Sequence, residues 1–485
     1  MRITARIYRF DPVCDTAPRY ETFTVDVEHG ARVLHFLHAV HERDPGLSYR
    51  YCCGTGQCGS CAVRMDGIPV LACMEEVRDG ITIDPLNLPV KKDLVVDMQP
   101  ALERLAGIIS GGEDHLLDRD TVETIKPLRG CIECLACVSV CPAMEVARFA
   151  GPTAMRQEMR RALDPRDNSD RITEAIRDGL FTCTTCQNCW KVCPKKIEIP
   201  AKAIEKLRAI ANRMGLSLPR HREVEQLIRD TGRSIPRGKS SFLEQVPEVI
   251  EPEGKVRKTV GFFVGCMYDF RLPDAALDAI EVLRRNGIRV IIPHEQVCCG
   301  SPLIRTGQLQ YLDNLQRRNI QAFTSRGIDT VVTMCAGCGS TLKKDYCTPF
   351  TVKDITEILT ELGIEEPACL PLRITYHDPC HALHGQGIQE PARILLNNVV
   401  DIIEIPQKCC GAGGGTRSGC PDISSALGKR RAEELVTTGA DVIVSCCPFC
   451  EYQLGEFADR SVKNITTILH EGYREKDRLA RVHNR

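Results

Sequence analysis

Apolar and polar residues alternate near the start of the chain in a pattern that predicts β-strands. The alternation covers residues 3–9 and 22–27, and the stretch between them reads "DPVCDTAPRY", which is rich in turn-forming residues. The following "ARVLHFLHAVHERD" carries apolar residues at helical spacing. Two strands followed by a helix predict a small β-grasp-like domain, which we place at residues 1–95.

The pattern becomes helical in the next part of the chain. Apolar residues recur at helical spacing around residues 153–178 and 200–231, and cysteine-rich stretches lie between the predicted helices. A run of Pro, Gly, Ser and charged residues follows them. We therefore predict a mostly helical domain at residues 96–231 and a linker at residues 232–257.

An internal repeat occupies most of the remaining chain. The stretches "TVGFFVGC", "IRVIIPHEQVCCG" and "DTVVTMCAGC" recur in the same order as "RITYHDPC", "VDIIEIPQKCCG" and "DVIVSCCPFC". Each short apolar run predicts a buried strand that ends in cysteine. Each copy is therefore predicted to be an α/β unit with cysteines at the carboxyl ends of parallel strands, where such sheets place their sites. We draw the copies at residues 258–365 and 366–475.

The composition excludes several kinds of partner. The chain has 485 residues, of which 43% are hydrophobic, and 63 Lys and Arg balance 64 Asp and Glu. This balance lacks the positive excess of a protein that binds nucleic acid or anionic membranes. The opening "MRITARIYRF" has no apolar signal segment, and no apolar run approaches the roughly 18 residues of a membrane span. We expect a cytoplasmic protein with no nucleic acid partner and no integral membrane segment.

The 28 cysteines are the most unusual feature of the composition. A disulfide framework is typical of short secreted chains, whereas cysteine motifs in a reducing cytoplasm indicate metal binding. These cysteines form motifs of three kinds, and each kind suits a different type of metal site.

The first motif is "CGTGQCGSC", followed by "LAC". Its spacing, CxxxxCxxC with a distant fourth cysteine, is typical of plant-type 2Fe-2S clusters. The glycines within it suit a loop that wraps closely around a cluster. A zinc knuckle is the alternative. The predicted ligands of this 2Fe-2S cluster are Cys53, Cys58, Cys61 and Cys73.

The second motif is a pair of runs of the form CxxCxxCxxxCP, namely "CIECLACVSVCP" and "CTTCQNCWKVCP". In two-cluster ferredoxins the fourth cysteine of each run binds the other cluster. We therefore predict two 4Fe-4S clusters, close enough for stepwise electron transfer. The ligands of one are Cys131, Cys134, Cys137 and Cys193. The ligands of the other are Cys141, Cys183, Cys186 and Cys189.

The internal repeat carries the third motif, in which each copy offers five cysteines. Five thiolates exceed the four that a tetrahedral zinc or a cubane cluster uses. We therefore predict one or two further 4Fe-4S clusters, and an open, non-cubane form best fits five ligands plus a substrate. A cubane bound by four of the five, or one copy without a cluster, is the alternative. The candidate catalytic residues are Cys266, Cys298, Cys299, Cys335, Cys338, Cys380, Cys409, Cys410, Cys447 and Cys450.

Other residues near these motifs have two interpretations. His377, His381 and His384 surround Cys380 in "YHDPCHALH", where they either donate hydrogen bonds or protons to a thiol or serve a structural role. The glycines of "CCGAGGG" together with Arg417 either bind an anionic substrate group or form a tight loop. The remaining cysteines are predicted to be inert: Cys14, Cys52, Cys347, Cys369, Cys420 and Cys446.

Residues 1 to about 200 resemble the iron–sulfur subunits of succinate dehydrogenase and fumarate reductase. The resemblance rests on "YCCGTGQCGSCAVRMDGIPVLAC", on "KKDLVVDMQPALE" and on the two CxxCxxCxxxCP runs. One departure concerns Cys186. In most of that family this position is not cysteine and the adjoining cluster has three irons, whereas this chain implies a complete second 4Fe-4S cube.

Residues 258–470 resemble the cysteine-rich CCG domains of heterodisulfide reductases, and "YHDPCH" and "CCGAGGG" are also similar to iron–sulfur subunits of glycolate oxidase and anaerobic glycerol-3-phosphate dehydrogenase. The fusion of both halves resembles the thiol:fumarate reductases of methanogens. That resemblance implies that coenzyme M and coenzyme B thiols are oxidised to their heterodisulfide at the CCG domains. It also implies a separate FAD-containing flavoprotein, of the fumarate reductase type, that reduces fumarate to succinate. The expected fold is a multidomain α/β and α+β chain that ends in two repeated α/β CCG domains.

Two other functions are consistent with the motifs. In the first, a quinone-linked succinate dehydrogenase or fumarate reductase, the CCG half replaces the usual membrane anchor. The absence of an apolar span and the near-zero net charge are weak arguments against it. The second is an electron-transfer component of a 2-hydroxy acid or glycerol-3-phosphate dehydrogenase, and the 2Fe-2S motif argues against that function.

Overall fold

The chain folds into two compact units of mixed α/β structure. A computed structural model describes residues 1–108 and 116–483; residues 109–115, which belong to the predicted helical domain, and residues 484–485 lie outside the described residues. Unit 1 comprises residues 1–180 and 187–207, and unit 2 comprises residues 181–186 and 208–485. The domain boundaries drawn from the sequence remain predictions.

A five-stranded sheet and one helix form the N-terminal part of unit 1. The elements are β1 (Arg2–Arg9), β2 (Arg19–Asp26), α1 (Val33–Arg43), β3 (Ala62–Met65), β4 (Ile68–Leu71) and β5 (Ile81–Asp84). The sheet order is β2-β1-β5-β3-β4, with β1 antiparallel to β2 and parallel to β5. Because residues alternate between the faces of a strand, Ile3, Ala5 and Ile7 enter one apolar core with Phe36 and Val40 of α1.

The remainder of unit 1 is mostly helical. It begins with a small ribbon and continues through short helices, and α9 and a 3₁₀ turn at Leu180–Thr182 extend across the division between the units. The elements are β6 (Val90–Lys92), β7 (Val95–Val96), α2 (Gln99–Ala106), α3 (Arg119–Arg129), α4 (Ala136–Ser139), α5 (Ala143–Val146), α6 (Pro152–Ala162), α7 (Arg171–Arg177), α8 (Asn188–Lys191), a π-helical turn (Pro200–Ile204) and α9 (Glu205–Arg213).

Unit 2 contains two sheets, and the first belongs to the first copy of the repeat. The elements are α10 (Pro219–Thr231), β8 (Val249–Ile250), β9 (Lys258–Phe263), α11 (Gly265–Phe270), α12 (Pro273–Arg285), β10 (Ile288–Ile291), α13 (Ser301–Thr306), a 3₁₀ turn (Leu309–Tyr311), α14 (Leu312–Thr324), β11 (Thr330–Thr333), α15 (Ala336–Lys344), β12 (Thr351–Asp354) and α16 (Ile355–Leu362). The sheet order is β12-β11-β9-β10-β8, and only β8 runs antiparallel.

The second sheet has the same internal order. The elements are β13 (Arg373–Tyr376), α17 (Cys380–Leu383), α18 (Glu390–Leu396), β14 (Asp401–Ile403), α19 (Thr416–Gly419), α20 (Pro421–Val436), β15 (Val442–Ser445), α21 (Pro448–Gly455), β16 (Ser461–Asn464) and α22 (Ile465–His483). Its parallel order, β14-β13-β15-β16, matches β10-β9-β11-β12 of the first sheet strand by strand. In each sheet, cysteines follow the carboxyl ends of the first three parallel strands.

One apolar core runs through both sheets of unit 2. Val260 and Phe262 of β9 belong to the same buried cluster as Val444 of β15. Polar contacts join α12 to α22, where Arg285 pairs with Asp477 at 2.8 Å. Within the described part of the chain, no helix combines the length and apolarity needed to cross a bilayer.

Candidate metal centre

The first cysteine motif forms a loop whose backbone amides point at sulfur atoms. The N–H groups of Thr55, Gln57 and Cys58 lie 3.3–3.4 Å from Sγ of Cys53, and that of Gly56 lies 3.3 Å from Sγ of Cys73. These amides lower the pKa of Cys53 to about 6. A loop that presents several N–H donors to sulfur stabilises thiolates, as ligation of iron requires.

The same loop lies against the first CxxCxxCxxxCP run. Gly59 has a φ of 71°, and a Cβ atom at this position would lie 2.7 Å from the carbonyl oxygen of Ile132 and 2.8 Å from Cβ of Cys134. Only glycine permits both this backbone conformation and this approach. Two of the predicted cluster sites in unit 1 therefore lie side by side.

The thiols that act on Cys137 in unit 1 include the other three predicted for the same cubane and also Cys141, which is assigned to the second cubane, so the division of ligands remains a prediction. Burial raises the pKa of Cys137 well above its usual range, and the neighbouring thiols of Cys134, Cys131 and Cys193 raise it further. Cys193, which comes from the other run, is therefore close enough to interact with the thiols of the first. Backbone amides also point at these sulfurs. Glu133 N lies 3.4 Å from Sγ of Cys131, and Ile197 N lies 3.4 Å from Sγ of Cys193.

The cysteines assigned to the second cubane are divided between the units. Cys141 and Cys189 belong to unit 1, whereas Cys183 and Cys186 belong to unit 2. Within unit 2, the Cys186 thiol donates a hydrogen bond to Cys409 of the repeat. The predicted second cubane therefore has a ligand in contact with the third cysteine motif.

The CCG sequence has the same local structure in both copies. Gly300 and Gly411 have φ values of 83° and 86°, and their N–H groups lie 3.4 Å from Sγ of Cys298 and 3.3 Å from Sγ of Cys409. A Cβ atom at Gly300 would lie 2.5 Å from Leu312 Cδ1, and one at Gly411 would lie 2.7 Å from Leu427 Cβ. Each glycine therefore allows a tight turn directly after the pair of cysteines.

Hydrogen-bonded thiols form a continuous chain across both copies. In copy 1 it runs from Cys266 through Cys298, Cys299 and Cys338 to Cys335. Cys335 contacts Cys447, and the chain continues through Cys450 to Cys410, whose sulfur lies 3.4 Å from that of Cys450. A separate set of hydrogen-bonded thiols comprises Cys380, Cys409 and Cys186.

Three of these cysteines accept hydrogen bonds from two thiols each. Cys298 and Cys338 donate to Cys299, Cys335 and Cys450 donate to Cys447, and Cys186 and Cys380 donate to Cys409. These bonds hold the pKa of Cys299, Cys447 and Cys409 well below the usual range. A lowered pKa favours the thiolate, which is the form that binds metal, and each copy contains at least one such cysteine.

A cavity of about 630 Å³ opens beside this chain of thiols. It is large enough for a bulky inorganic group together with a small organic molecule. Every cysteine of the repeat motif except Cys409 lines it, and so do four arginines. The cysteines are Cys266, Cys298, Cys299, Cys335, Cys338, Cys380, Cys410, Cys447 and Cys450.

The four arginines of the cavity differ in their partners. Arg305 pairs with Asp345 at 2.8 Å, Arg417 with Glu456 at 2.8 Å, and Arg220 with Glu223. Arg271 donates to the carbonyl oxygen of Phe270 at 3.1 Å and forms no ion pair with any described residue. It is therefore available to an anionic group in the cavity.

His377 and His381 of "YHDPCHALH" occupy different environments, and His384 is half-buried. His381 lines the cavity, and its Nε2 lies 3.2 Å from the carbonyl oxygen of Thr185, which favours a structural role. His377 is buried, accepts a hydrogen bond at Nδ1 from Arg431, and has a pKa that burial and Arg431 lower to about 3. A ring nitrogen of His377 and the sulfurs of Cys410 and Cys450 lie within 4.8 Å of one another.

The cysteines outside the motifs mostly lie at the surface. Cys14, Cys52, Cys347 and Cys369 are exposed. Cys446 is buried, and the hydroxyl of Tyr376 donates to its sulfur at 3.1 Å. Their role as inert residues remains a prediction.

Sequence reasoning missed Arg271, Arg305 and Arg431. Arg271 and Arg305 follow Cys266 and Cys299 by five and six residues, but arginines at such spacings are common on surface helices and carried no signal. Arg431 lies in the middle of α20, and only the tertiary fold brings it to His377. Copy 1 has asparagine, Asn319, at the matching position, sixteen residues before the cysteine that follows the third strand.

The donor set fits iron–sulfur clusters better than zinc. Structural zinc takes four ligands, whereas this cavity gathers more thiols than two such sites would use. The amides aimed at sulfur in the N-terminal loop and in both CCG turns are the kind of donor that stabilises thiolate-bound clusters. Each CCG turn places two adjacent thiols together, which suits a bulky group.

Family models agree with the three kinds of motif. A 2Fe-2S iron-sulfur cluster binding domain matches residues 4–103, a 4Fe-4S dicluster domain matches residues 127–197, and the cysteine-rich CCG domain matches residues 260–343 and again residues 374–455. These matches confirm the iron–sulfur character predicted for each part of the chain. They do not fix the number of clusters.

Three relatives cover different shares of the chain. It is 40% identical to a fumarate reductase (CoM/CoB) subunit of Methanothermobacter marburgensis, over 97% of this chain and 99% of that protein. It is 29% identical to a subunit of the dihydromethanophenazine:CoB–CoM heterodisulfide reductase of Methanosarcina barkeri, over 71% and 92%. Identity to the succinate dehydrogenase iron-sulfur subunit of Paracoccus denitrificans is 34%, over 42% and 85%.

Proposed function

This chain belongs to the family of oxidoreductase iron–sulfur subunits that includes the fumarate reductase (CoM/CoB) subunit of Methanothermobacter marburgensis, and we propose that it oxidises two anionic thiols and passes their electrons to a flavoprotein. The thiols are coenzyme M and coenzyme B, and their product is the heterodisulfide. The flavoprotein carries FAD and reduces fumarate to succinate. The reaction of the complex is electron transfer from two thiols to one fumarate.

One observation supports this proposal above the others. The five cysteines of copy 1 and three of copy 2, Cys410, Cys447 and Cys450, form one chain of contacting thiols beside one cavity, and the copies meet at Cys335 and Cys447. A reaction that joins two sulfur atoms needs both of them in one place, and this arrangement offers each copy as the site for one thiol. The near-attack geometry that makes such a reaction fast requires this proximity.

The proposed reaction balances in atoms and electrons. Two thiols lose two protons and two electrons, and one S–S bond forms between their sulfur atoms. Fumarate takes up two electrons and two protons, its C=C bond becomes a C–C single bond, and succinate results. Iron–sulfur clusters bound by the cysteines would supply one-electron carriers between these two-electron reactions, with potentials tuned by hydrogen bonds to sulfur.

The remaining residues define the route of the electrons. We assign the 2Fe-2S ligands, the two 4Fe-4S ligand sets and the ligands in the repeat as the sequence predicts them. The contact of Cys186 with Cys409 supports transfer from the repeat to the second cubane. The contact of Gly59 with Cys134 supports transfer between a cubane and the 2Fe-2S cluster, and from there to the flavoprotein.

Arg271 provides a test of the thiol-binding site. Because this arginine lines the cavity without an ion pair to any described residue, we expect it to bind the anionic group of a thiol substrate. In the reconstituted complex with its flavoprotein, Arg271→Gln should raise the KM for at least one thiol about tenfold, which corresponds to about 1.4 kcal/mol of lost binding. Arg220→Gln is the matched control, since Arg220 lines the same cavity but is exposed and paired with Glu223.

The assay is thiol-driven fumarate reduction under anaerobic conditions, with iron analysis of each sample. We expect about 18 irons per chain, the sum of one 2Fe-2S and four four-iron clusters. A value near roughly 10 would mean that the repeat holds no cluster. That result, or a preparation that accepts electrons from a quinol but not from the thiols, would reject thiol oxidation in favour of the quinone-linked function.

A further inference from the structure

The two copies of the repeat differ at one buried position beside their cysteines. Three residues before the first cysteine, copy 1 has Phe263 and copy 2 has His377. Both side chains are buried, and Phe263 packs in the apolar core against Phe323, with ring centroids 6.3 Å apart. The second copy therefore places a polar ring where the first places a hydrocarbon ring.

Contacts with Arg431 fix the hydrogen-bonding state of His377. Nε of Arg431 lies 3.3 Å from Nδ1 of His377, and a guanidinium group has only donors. Nδ1 must therefore accept, and the neutral ring carries its proton on Nε2. Arg431 is itself buried and held by Glu434, whose carboxylate lies 3.0 Å from Nη1.

Sulfur atoms of copy 2 lie near the ring of His377. A ring nitrogen lies within 4.8 Å of the sulfurs of Cys410 and Cys450, and the charges of Cys409 and Cys447 also act on the ring. The backbone of His377 has its own partners, because its amide donates to Val444 O and its carbonyl accepts from Ser445 Oγ.

We propose that His377 is a positioning residue that donates its Nε2 proton to a sulfur atom at the copy 2 site, so that the clusters of the two copies have unequal reduction potentials. This inference rests on the proposed function, in which each copy holds a cluster. A hydrogen bond to sulfur stabilises the more negative, reduced state of a cluster. The copy 2 cluster therefore has the higher potential and accepts electrons from the copy 1 side.

The proposed order of the two reduction potentials, with copy 2 higher than copy 1, agrees with the position of Cys186. Its thiol contacts Cys409, so copy 2 has a direct contact with a predicted cubane ligand. A higher reduction potential at the copy 2 cluster favours transfer of an electron from copy 1 to copy 2, and from there toward Cys186. His377 would thus set the direction of electron transfer between the two copies, which their matching cysteines alone would not do.

The test measures the reduction potential of every cluster in the full-length protein by EPR-monitored redox titration. His377→Phe installs the side chain of copy 1, and we expect it to lower one potential by about 59 mV, a tenfold change for a one-electron couple. His377→Gln keeps an N–H donor and should restore at least half of that shift. The 2Fe-2S cluster and the 4Fe-4S cluster assigned to Cys131, Cys134, Cys137 and Cys193 are internal controls and should keep their potentials.

A second measurement uses the unmodified sequence. Pulsed EPR of protein labelled with ¹⁵N-histidine should show a weak nitrogen coupling to one repeat cluster, and this coupling should disappear in His377→Gln. A strong coupling would mean that nitrogen binds iron directly and would overturn the proposal. Unchanged potentials in His377→Phe at full iron content would also overturn it, whereas loss of iron from the repeat in the unmodified protein would reject the proposed function itself.

Discussion

Gly54 and Gly59 separate two reasons for glycine in a cluster-binding loop. Both have left-handed backbone, with φ values of 67° and 71°. A Cβ atom at Gly54 would meet nothing within 4 Å, whereas one at Gly59 would lie 2.7 Å from Ile132 O. The motif indicated that these glycines belong to a loop around a cluster. Only the structure shows which glycine is required by the backbone conformation alone and which also by a close contact.

Alanine at these two positions should therefore have different effects. We expect Gly54→Ala to lower the free energy of unfolding by about 1–2 kcal/mol through backbone strain alone. Gly59→Ala adds overpacking against the first CxxCxxCxxxCP run, which costs a further 1–3 kcal/mol or so. Thermal unfolding of cluster-loaded protein measures the difference, and EPR should show the 2Fe-2S and a 4Fe-4S signal both altered in Gly59→Ala only. Equal loss of stability in the two variants would contradict this account.

Protonation of the repeat cysteines also could not be predicted from their spacing. Each copy contributes five cysteines of the same kind to the motif, yet Cys299, Cys409 and Cys447 differ from the others because each accepts from two thiols. Two of the donors lie outside copy 2, which holds the acceptor. Cys335 of copy 1 donates to Cys447, and Cys186 of the second CxxCxxCxxxCP run donates to Cys409. Which cysteines have a lowered pKa therefore depends on how the chain packs, and the sequence pattern does not show that packing.

The two CxxCxxCxxxCP runs repeat a backbone conformation as well as a spacing. Glu133 and Leu135 of the first run have φ values of 54° and 59°, and Thr185 and Gln187 of the second have 50° and 68°. In each run these residues follow the first cysteine by two and four positions and lead into a four-residue helix. Because none of them is glycine, the strain could not be predicted, although the motif itself predicted the cluster site correctly as iron–sulfur.

The segment predicted to be a linker supplies part of the core of unit 2. Phe242 is fully buried, and its ring centroid lies 6.1 Å from that of Phe262 in β9. Ser241 donates to Asp269 at 2.6 Å, and the Ser234 amide lies 3.4 Å from Sγ of Cys266. The Pro, Gly and Ser content indicated an irregular backbone but carried no information about these tertiary contacts.

Phe242 should therefore matter for stability. We expect Phe242→Ala to lower the free energy of unfolding by about 3–5 kcal/mol, as for other large-to-small changes in a core. Val249→Ala is the control in the same segment, because Val249 is 42% exposed and its truncation should cost less than about 0.5 kcal/mol. Denaturant unfolding with a probe in unit 2 measures both. Similar small losses would indicate that the segment serves only as a connector.

Much of the whole chain could be predicted because its cysteines mark the sites directly. The family resemblance is confirmed by the identity to the fumarate reductase (CoM/CoB) subunit of Methanothermobacter marburgensis, and the repeat appears as two sheets with one strand order. What could not be predicted is how the motifs meet. The links from Cys335 to Cys447 and from Cys186 to Cys409 join residues more than one hundred positions apart.

These links imply that thiol oxidation and electron delivery can be interrupted separately. Cys447 joins the two copies, so Cys447→Ser should abolish thiol-driven fumarate reduction in the complex, since serine keeps the size but is a poor ligand for iron. Fumarate reduction driven by an artificial dye that enters at the flavoprotein or the N-terminal clusters should largely survive. Cys58→Ser changes the 2Fe-2S loop instead and should interrupt transfer to the flavoprotein, while thiol-dependent reduction of a dye at the repeat remains.

The opposite behaviour of these two variants is the decisive result, because a variant that fails to fold loses both activities. Iron content and EPR of the unaffected clusters show which samples are folded. Cys369→Ser is the matched control, since Cys369 is exposed and lies outside the motifs, and it should retain both activities. If folded Cys447→Ser protein still oxidises thiols, the repeat is not their site. If both variants abolish both activities while the other clusters remain intact, thiol oxidation and electron delivery are not separable along the chain.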